Sequence, residues 1–111
     1  MAFEVVLAPG AIAALKDLSV PVRAGVVKAL GVHLTQEPTK TSKSRIKRLR
    51  GLSQPQYRLR VGDIRVFYDV TETQVQVLAI VTKAEAQAWL DESGTPESQG
   101  TEGGSSGGGQ R

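Results

Sequence analysis

Cysteine is absent from the 111 residues, so neither a disulfide framework nor a thiolate metal site is open to the chain. Histidine occurs once, at His33. No pair of histidines or carboxylates falls at ligand spacing on an element directed at the basic segment described below, which argues against metal catalysis. No stretch of 18 apolar residues occurs, and residues 1–10 lack the basic start and long apolar run of a signal peptide, so the expected protein is cytoplasmic and touches no membrane. Glycine-rich nucleotide loops are missing as well. The glycines gathered at the C-terminus follow no strand and open no helix, so no cofactor is expected.

What is present fits one domain. Hydrophobic residues make up 40% of the chain, enough for a single modest core. The formal net charge is only +3, but nine of the fourteen Lys and Arg residues lie between positions 40 and 65, against the single acid Asp63. Residues 66–111 carry Lys83 and Arg111 against seven acids. Positive charge concentrated in one central stretch points to a polyanionic partner.

Phe3 to Leu7 gathers aromatic and β-branched residues before Pro9-Gly10 and is expected as a short strand. Ile12, Leu15 and Leu18 recur at helical spacing behind Pro9, predicting a short amphipathic helix to about residue 18. Ser19 is a candidate cap and Pro21 a first-turn residue of a second helix, whose Val22, Val26, Ala29, Leu30 and Leu34 repeat up to Pro38. The two helices form a hairpin, and Gly25 and Gly31 within the second suggest close packing there. Residues 39–44 read as a loop, and 45–52, with Ile46, Leu49 and Leu52 among cations, as either a pegged loop or a ragged strand. Gln74 to Val81 is a further strand, central in a sheet. Lys83 to Glu92 is a helix turning Ala84, Ala88 and Trp89 inward. Residues 93–111 hold seven glycines and almost no core-forming side chain, so they are expected as a disordered tail or linker following a domain of residues 1–92.

Tyr57-Arg58-Leu59-Arg60-Val61 and Ile64-Arg65-Val66-Phe67-Tyr68 both alternate at period two around Gly62-Asp63, a two-residue hairpin signal. Such a turn fixes the register, pairing Arg60 with Arg65 and Arg58 with Phe67, and sends the aliphatic side chains to the opposite face. Directly opposed arginines repel, and a fold with no use for that face would place neutral side chains there. The functional reading is a preorganised platform for phosphates formed by Arg58, Arg60 and Arg65, with Phe67 as a surface for a base to stack on. The bland alternative is a solvated face whose arginines pair with carboxylates such as Asp69. Lys43, Arg45, Lys47, Arg48 and Arg50 are candidates for further backbone-phosphate contacts. His33 lies in the body of a helix away from this face and is an ordinary helical histidine.

The order of strand, helical hairpin, basic approach and terminal strand, with the stretch Y-R-L-R-V-G-D-I-R-V-F-Y at 57–68 as its specific part, resembles the RelE/ParE superfamily of bacterial toxins over residues 1–92. The resemblance implies an α+β fold in which a helical hairpin packs on a curved antiparallel sheet, followed by a short C-terminal helix. It also implies an antitoxin partner. Ile46, Leu49 and Leu52, interleaved with cations, suit an acidic amphipathic segment of such a partner.

In the RelE branch the implied activity is ribosome-dependent cleavage of messenger RNA, with the ribose 2′-hydroxyl attacking its own phosphate and no metal required. Carried over position by position, the two basic residues before the turn fall on Arg58 and Arg60, and the arginine after it falls on Arg65. Two positions depart from the pattern: Lys83 stands where the family has an arginine after the last strand, and the expected C-terminal tyrosine gives way to Trp89-Leu90. Charge stabilisation is therefore retained while acid–base capacity is reduced, since a guanidinium stays protonated. Two other expectations stand beside the enzyme: a ParE-like inhibitor of DNA gyrase that needs no catalytic residue, and a degenerate module that only binds an antitoxin.

Overall fold

The structure, a computed structural model, describes residues 2–97. Its elements run β1 (Glu4–Leu7), α1 (Pro9–Asp17), α2 (Val20–Ala29), a π-helical turn (Leu30–Leu34), β2 (Ile46–Arg48), β3 (Leu52–Gln54), β4 (Tyr57–Val61), β5 (Ile64–Val70), β6 (Gln74–Thr82), α3 (Lys83–Ser93) and β7 (Thr95–Pro96). Five strands form one sheet in the order β1-β6-β5-β4-β2. All neighbours are antiparallel except β1 and β6, so the expected antiparallel sheet is mixed at one edge. The reason is the helical hairpin, which serves as part of the long crossover that a parallel pair requires.

The β4–β5 hairpin has the expected register: Val61 faces Ile64, Arg60 faces Arg65, Leu59 faces Val66, Arg58 faces Phe67 and Tyr57 faces Tyr68. Alternation then separates two faces. Leu59, Ile64, Val66 and Tyr68 point to the helical side and join Val75, Val77 and Ile80 of β6 with Ala11, Val26, Leu30 and Leu34 of the helices in one core. Burying these side chains supplies the main stabilisation, roughly 1.5–3 kcal/mol for each large aliphatic group. Tyr68 is fully buried, and its hydroxyl donates to the Pro38 carbonyl at 2.7 Å. Burial and the neighbouring Tyr57 ring, stacked at 5.5 Å, push its pKa well above the usual phenol value.

Local details differ from expectation where side chains compete with backbone rules. Ser19 precedes α2 but makes no side-chain cap. The helix corner is instead held by Arg23, whose guanidinium donates to the carbonyls of Leu15, Lys16 and Leu18. An alanine at Gly25 or Gly31 would meet nothing within 4 Å, so neither glycine marks close packing. Residues 46–48 form a true strand because Ile46, 4% exposed, is drawn into the core opposite Leu59.

The inward face of α3 is Ala86, Trp89 and Leu90, whereas Ala84 and Ala88 are exposed. The capping box sets this phase: Thr82 accepts from the Glu85 N–H while the Glu85 carboxylate accepts from Thr82. Those bonds to the charged form hold the Glu85 carboxyl below its usual pKa. Ser93 closes α3 and Thr95–Pro96 pair with Leu52–Gln54, so residues 93–97 belong to the fold and the expected tail boundary at 93 comes too early. Residues 98–111 of that tail lie outside the described residues. No described helix is long and apolar enough to cross a membrane.

The Tyr68 hydroxyl gives a direct test of how this core is closed. Tyr68→Phe strands the Pro38 carbonyl and is expected to lower unfolding free energy by about 1–2 kcal/mol, measured as a lower urea midpoint at an unchanged slope.

Candidate nucleic-acid interface

The face of β4 and β5 turned away from the core carries Arg58, Arg60, Arg65 and Phe67, as the register requires. β2 extends it: Lys47 lies directly opposite Arg58, giving a cross-strand row of Lys47, Arg58 and Phe67. A second row joins Arg60, Arg65 and Val81. Position in the general basic stretch does not reveal this role for Lys47. The sequence signal is the alternation Arg45-Ile46-Lys47 around a buried Ile46.

The three arginines have different surroundings. Arg60 is exposed. Arg65 is 7% exposed, and its Nη1 donates to the carbonyls of Gly62, at 2.8 Å, and Ile64, at 3.1 Å. Its guanidinium thus braces the turn from beneath. Arg58 lies between, with a buried Nε that has no hydrogen-bond partner among the described residues. Burial first, then the charges of Arg65 and Arg60, lower the Arg58 pKa.

No described carboxylate lies within 4.0 Å of these guanidinium groups. Asp69, four residues beyond Arg65, is engaged elsewhere, accepting from Gln54 Nε2 at 2.6 Å and from the Gln56 N–H at 2.8 Å. It ties down the approach to β4 and neutralises none of the arginines. Cations withdrawn from solvent are ordinarily paired, so Arg65 and the buried Nε of Arg58 are costly as they stand, and with the exposed Arg60 beside them the face is suited to receiving an anion.

Several candidate residues lie elsewhere. Phe67 is 1% exposed and covered by the Trp89 ring, parallel to within 6° at a centroid distance of 5.1 Å. The expected stacking surface is therefore closed, because α3 needs an apolar seat on the sheet. Trp89 is half-buried above it, so the aromatic nearest solvent on this face is Trp89.

Arg48 donates to the Gln56 carbonyl at 2.8 Å and stacks over Tyr57 at 5.2 Å, which engages it in the sheet edge. Arg45 shares a small cavity with His33 on the helical side. Burial, then the Arg45 charge, lower the His33 pKa. Lys43 and Arg50 are exposed in the flanking loops. Ile46 is core and cannot serve as a peg for a partner, whereas Leu49 and Leu52 are half-buried at the surface. Lys83 is exposed at the start of α3, and its N–H donates to the Asp63 carbonyl at 2.8 Å, which fixes it at the turn end of the arginine face. No group of three or more metal-ligating side chains occurs among the described residues.

One chain of the crystal structure of the archaeal RelE-RelB complex from Pyrococcus horikoshii OT3 superposes with a TM-score of 0.62 at 24% identity, covering 75% of this chain and 97% of that one. The fold is one found in RelE-RelB complexes. A chain of the RelB-RelE antitoxin-toxin complex from Methanococcus jannaschii has a TM-score of 0.53 at 16% identity, covering 76% and 96%. No protein-family model and no curated protein matches the sequence. The RelE-RelB likeness agrees with the α+β expectation and shows the fold alone, so the chemistry must be argued from the arginine face.

That face should weaken the protein that carries it. Arg58→Met keeps the side-chain bulk while removing an orphaned N–H and a like charge. It is expected to raise unfolding free energy by about 1 kcal/mol. Because repulsion is screened by salt, the gain should shrink between 20 mM and about 500 mM NaCl in parallel urea titrations.

Proposed function

We propose that this chain is the toxin of a type II toxin-antitoxin pair and acts as a RelE-like, metal-independent, ribosome-dependent messenger RNA endonuclease. The observation that carries this reading is the cluster of Arg58, Arg60 and Arg65 with no described carboxylate partner within 4.0 Å. In the reaction the 2′-oxygen forms a bond to the adjoining phosphorus, the bond to the 5′-oxygen breaks, and a cyclic phosphate and a 5′-hydroxyl result. The hydroxyl proton must leave, and the departing 5′-oxygen must gain one. Charge on the pentavalent phosphorane is met by Arg60 and Arg58, whose planar forks suit phosphate oxygens. Arg65 is a positioning residue that holds the turn and keeps the local potential positive. Guanidinium groups exchange protons poorly, so Lys47, opposite Arg58, and Lys83, at the turn, are assigned the proton transfers.

The partner in this reading is a cognate antitoxin that meets the cationic face with acidic side chains and seats apolar ones against Leu49 and Leu52. A ParE-like, non-enzymatic action on DNA gyrase is the second reading. It is favoured by the closure of Phe67 under Trp89, which leaves the face without an open aromatic beside its cations. Inhibition of supercoiling by purified gyrase, with transcripts left intact, would establish that reading instead.

The test is induction in a translating extract with transcript ends mapped. Cleavage is expected with wild type and should fall about 100-fold in Arg60→Ala, the loss typical of one electrostatic donor. Urea titration should show that variant folded. Full cleavage by Arg60→Ala would remove the proposal.

A further inference from the structure

A cleft of about 450 Å³ lies between the loop at 49–52 and α3. Its apolar walls are Leu49, Leu52 and Leu90, while Lys47 and Arg50 stand at one side and Gln87 and Asp91 at the other. Lys47 also belongs to the cationic row, as the cross-strand partner of Arg58. A strand whose phosphate rests on Arg58 is therefore one side chain away from this opening.

Asp91 sets a carboxylate across the cleft from Lys47 and Arg50, and neither cation lies within 4.0 Å of it. Its Oδ1 instead accepts from Gln87 Nε2 at 2.9 Å, one helical turn away. An amide holds the carboxylate in orientation without cancelling its charge. Two acceptor oxygens at the side of a leucine-lined slot complement a flat ring with two adjacent N–H donors on one edge.

Among the RNA bases that description fits guanine, through N1–H and the N2 amino group. Adenine presents an acceptor at N1, and the pyrimidines offer one donor position each. Sequence-specific recognition of RNA acts on unstacked bases read along such edges.

We propose that this cleft is a guanine subsite for single-stranded RNA, read by Asp91 and oriented by Gln87. The inference rests on the RNA reading of the arginine face, and it adds a base preference at one position of the bound strand. Leu49 and Leu52 clamp the ring, and Lys47 joins the subsite to the phosphate row.

The test is an NMR titration of the full chain at low salt with three hexaribonucleotides, UUGUUU, UUIUUU and UUAUUU, where I is inosine, which lacks the N2 amino group. Wild type is expected to bind the guanosine probe about tenfold more tightly than the adenosine probe, as one bidentate base contact allows. Inosine should fall between them, and the Gln87 side-chain amide should shift with guanosine. Asp91→Asn keeps an acceptor for Gln87 and should lose the guanosine preference while binding the adenosine probe as wild type does. Arg60→Ala should weaken all three probes equally. Equal wild-type affinity for the three probes, with all of it dependent on Arg60, overturns the subsite and leaves the RNA reading standing. Binding that ignores Arg60, or no binding of any probe, also overturns the subsite, while the RNA reading is decided separately by transcript cleavage in the translating extract.

Discussion

The hairpin turn at Gly62-Asp63 leaves the chain no freedom of register. Gly62 sits at φ 57°, a region open to glycine at little cost, so the reversal takes place there and the pairing of Arg60 with Arg65 follows. The period-two pattern then decides everything else on these strands: inverting their faces would turn Arg58, Arg60 and Arg65 into the core and expose the aliphatic set. The turn is held from two further directions. Arg65 donates to the Gly62 carbonyl, and the Lys83 N–H to that of Asp63. The last strand and α3 are thus attached to the same two residues that set the arginine face.

The two faces of the sheet have opposite energetics. On the helical side, burial of Leu59, Val66, Tyr68, Val75 and Val77 is complete, and each contributes in the ordinary way. On the other side, Arg58 keeps a buried N–H with no partner among the described residues, and burial, then the neighbouring cations, depress its pKa. Stability generated by one face offsets the cost carried by the other. Electrostatic preorganisation of this kind is what a site for a multiply charged anion needs, since the donors are in place before the ligand arrives.

Much of this was legible in the sequence. The hairpin, its register and its two faces follow from alternation around a two-residue turn, and the helices from apolar spacing bounded by prolines. The sequence also separated Asp69 poorly from the arginines: proximity along the chain suggested a neutralising pair, but Asp69 serves Gln54 and Gln56. What could not be read were contacts between elements far apart in the chain. That β2 lies beside β4, placing Lys47 against Arg58, depends on Ile46 entering a core assembled from six other elements. That Phe67 is covered depends on where α3 lies, since Trp89, expected to face inward, meets the sheet at Phe67. Arg48 and Arg45 looked alike within a basic run, and only tertiary neighbours distinguish the one over Tyr57 from the one beside His33.

The departures at the end of the chain bear on mechanism. A tyrosine on the last helix would offer a titratable hydroxyl to the face; Trp89 offers a ring that packs on Phe67 and an indole N–H that can only donate. The apolar contact that secures α3 is thus made by a side chain with no titratable hydroxyl. In the proposed reaction proton exchange is assigned to ammonium groups on the margins, Lys47 across the strand pair and Lys83 at the turn, both held by backbone hydrogen bonding of the sheet or its exit. Guanidinium groups at the centre and ammonium groups at the edge divide the work by chemistry. In the proposed reaction the permanent charges would meet the phosphorane, and the exchangeable protons would serve the entering and leaving oxygens.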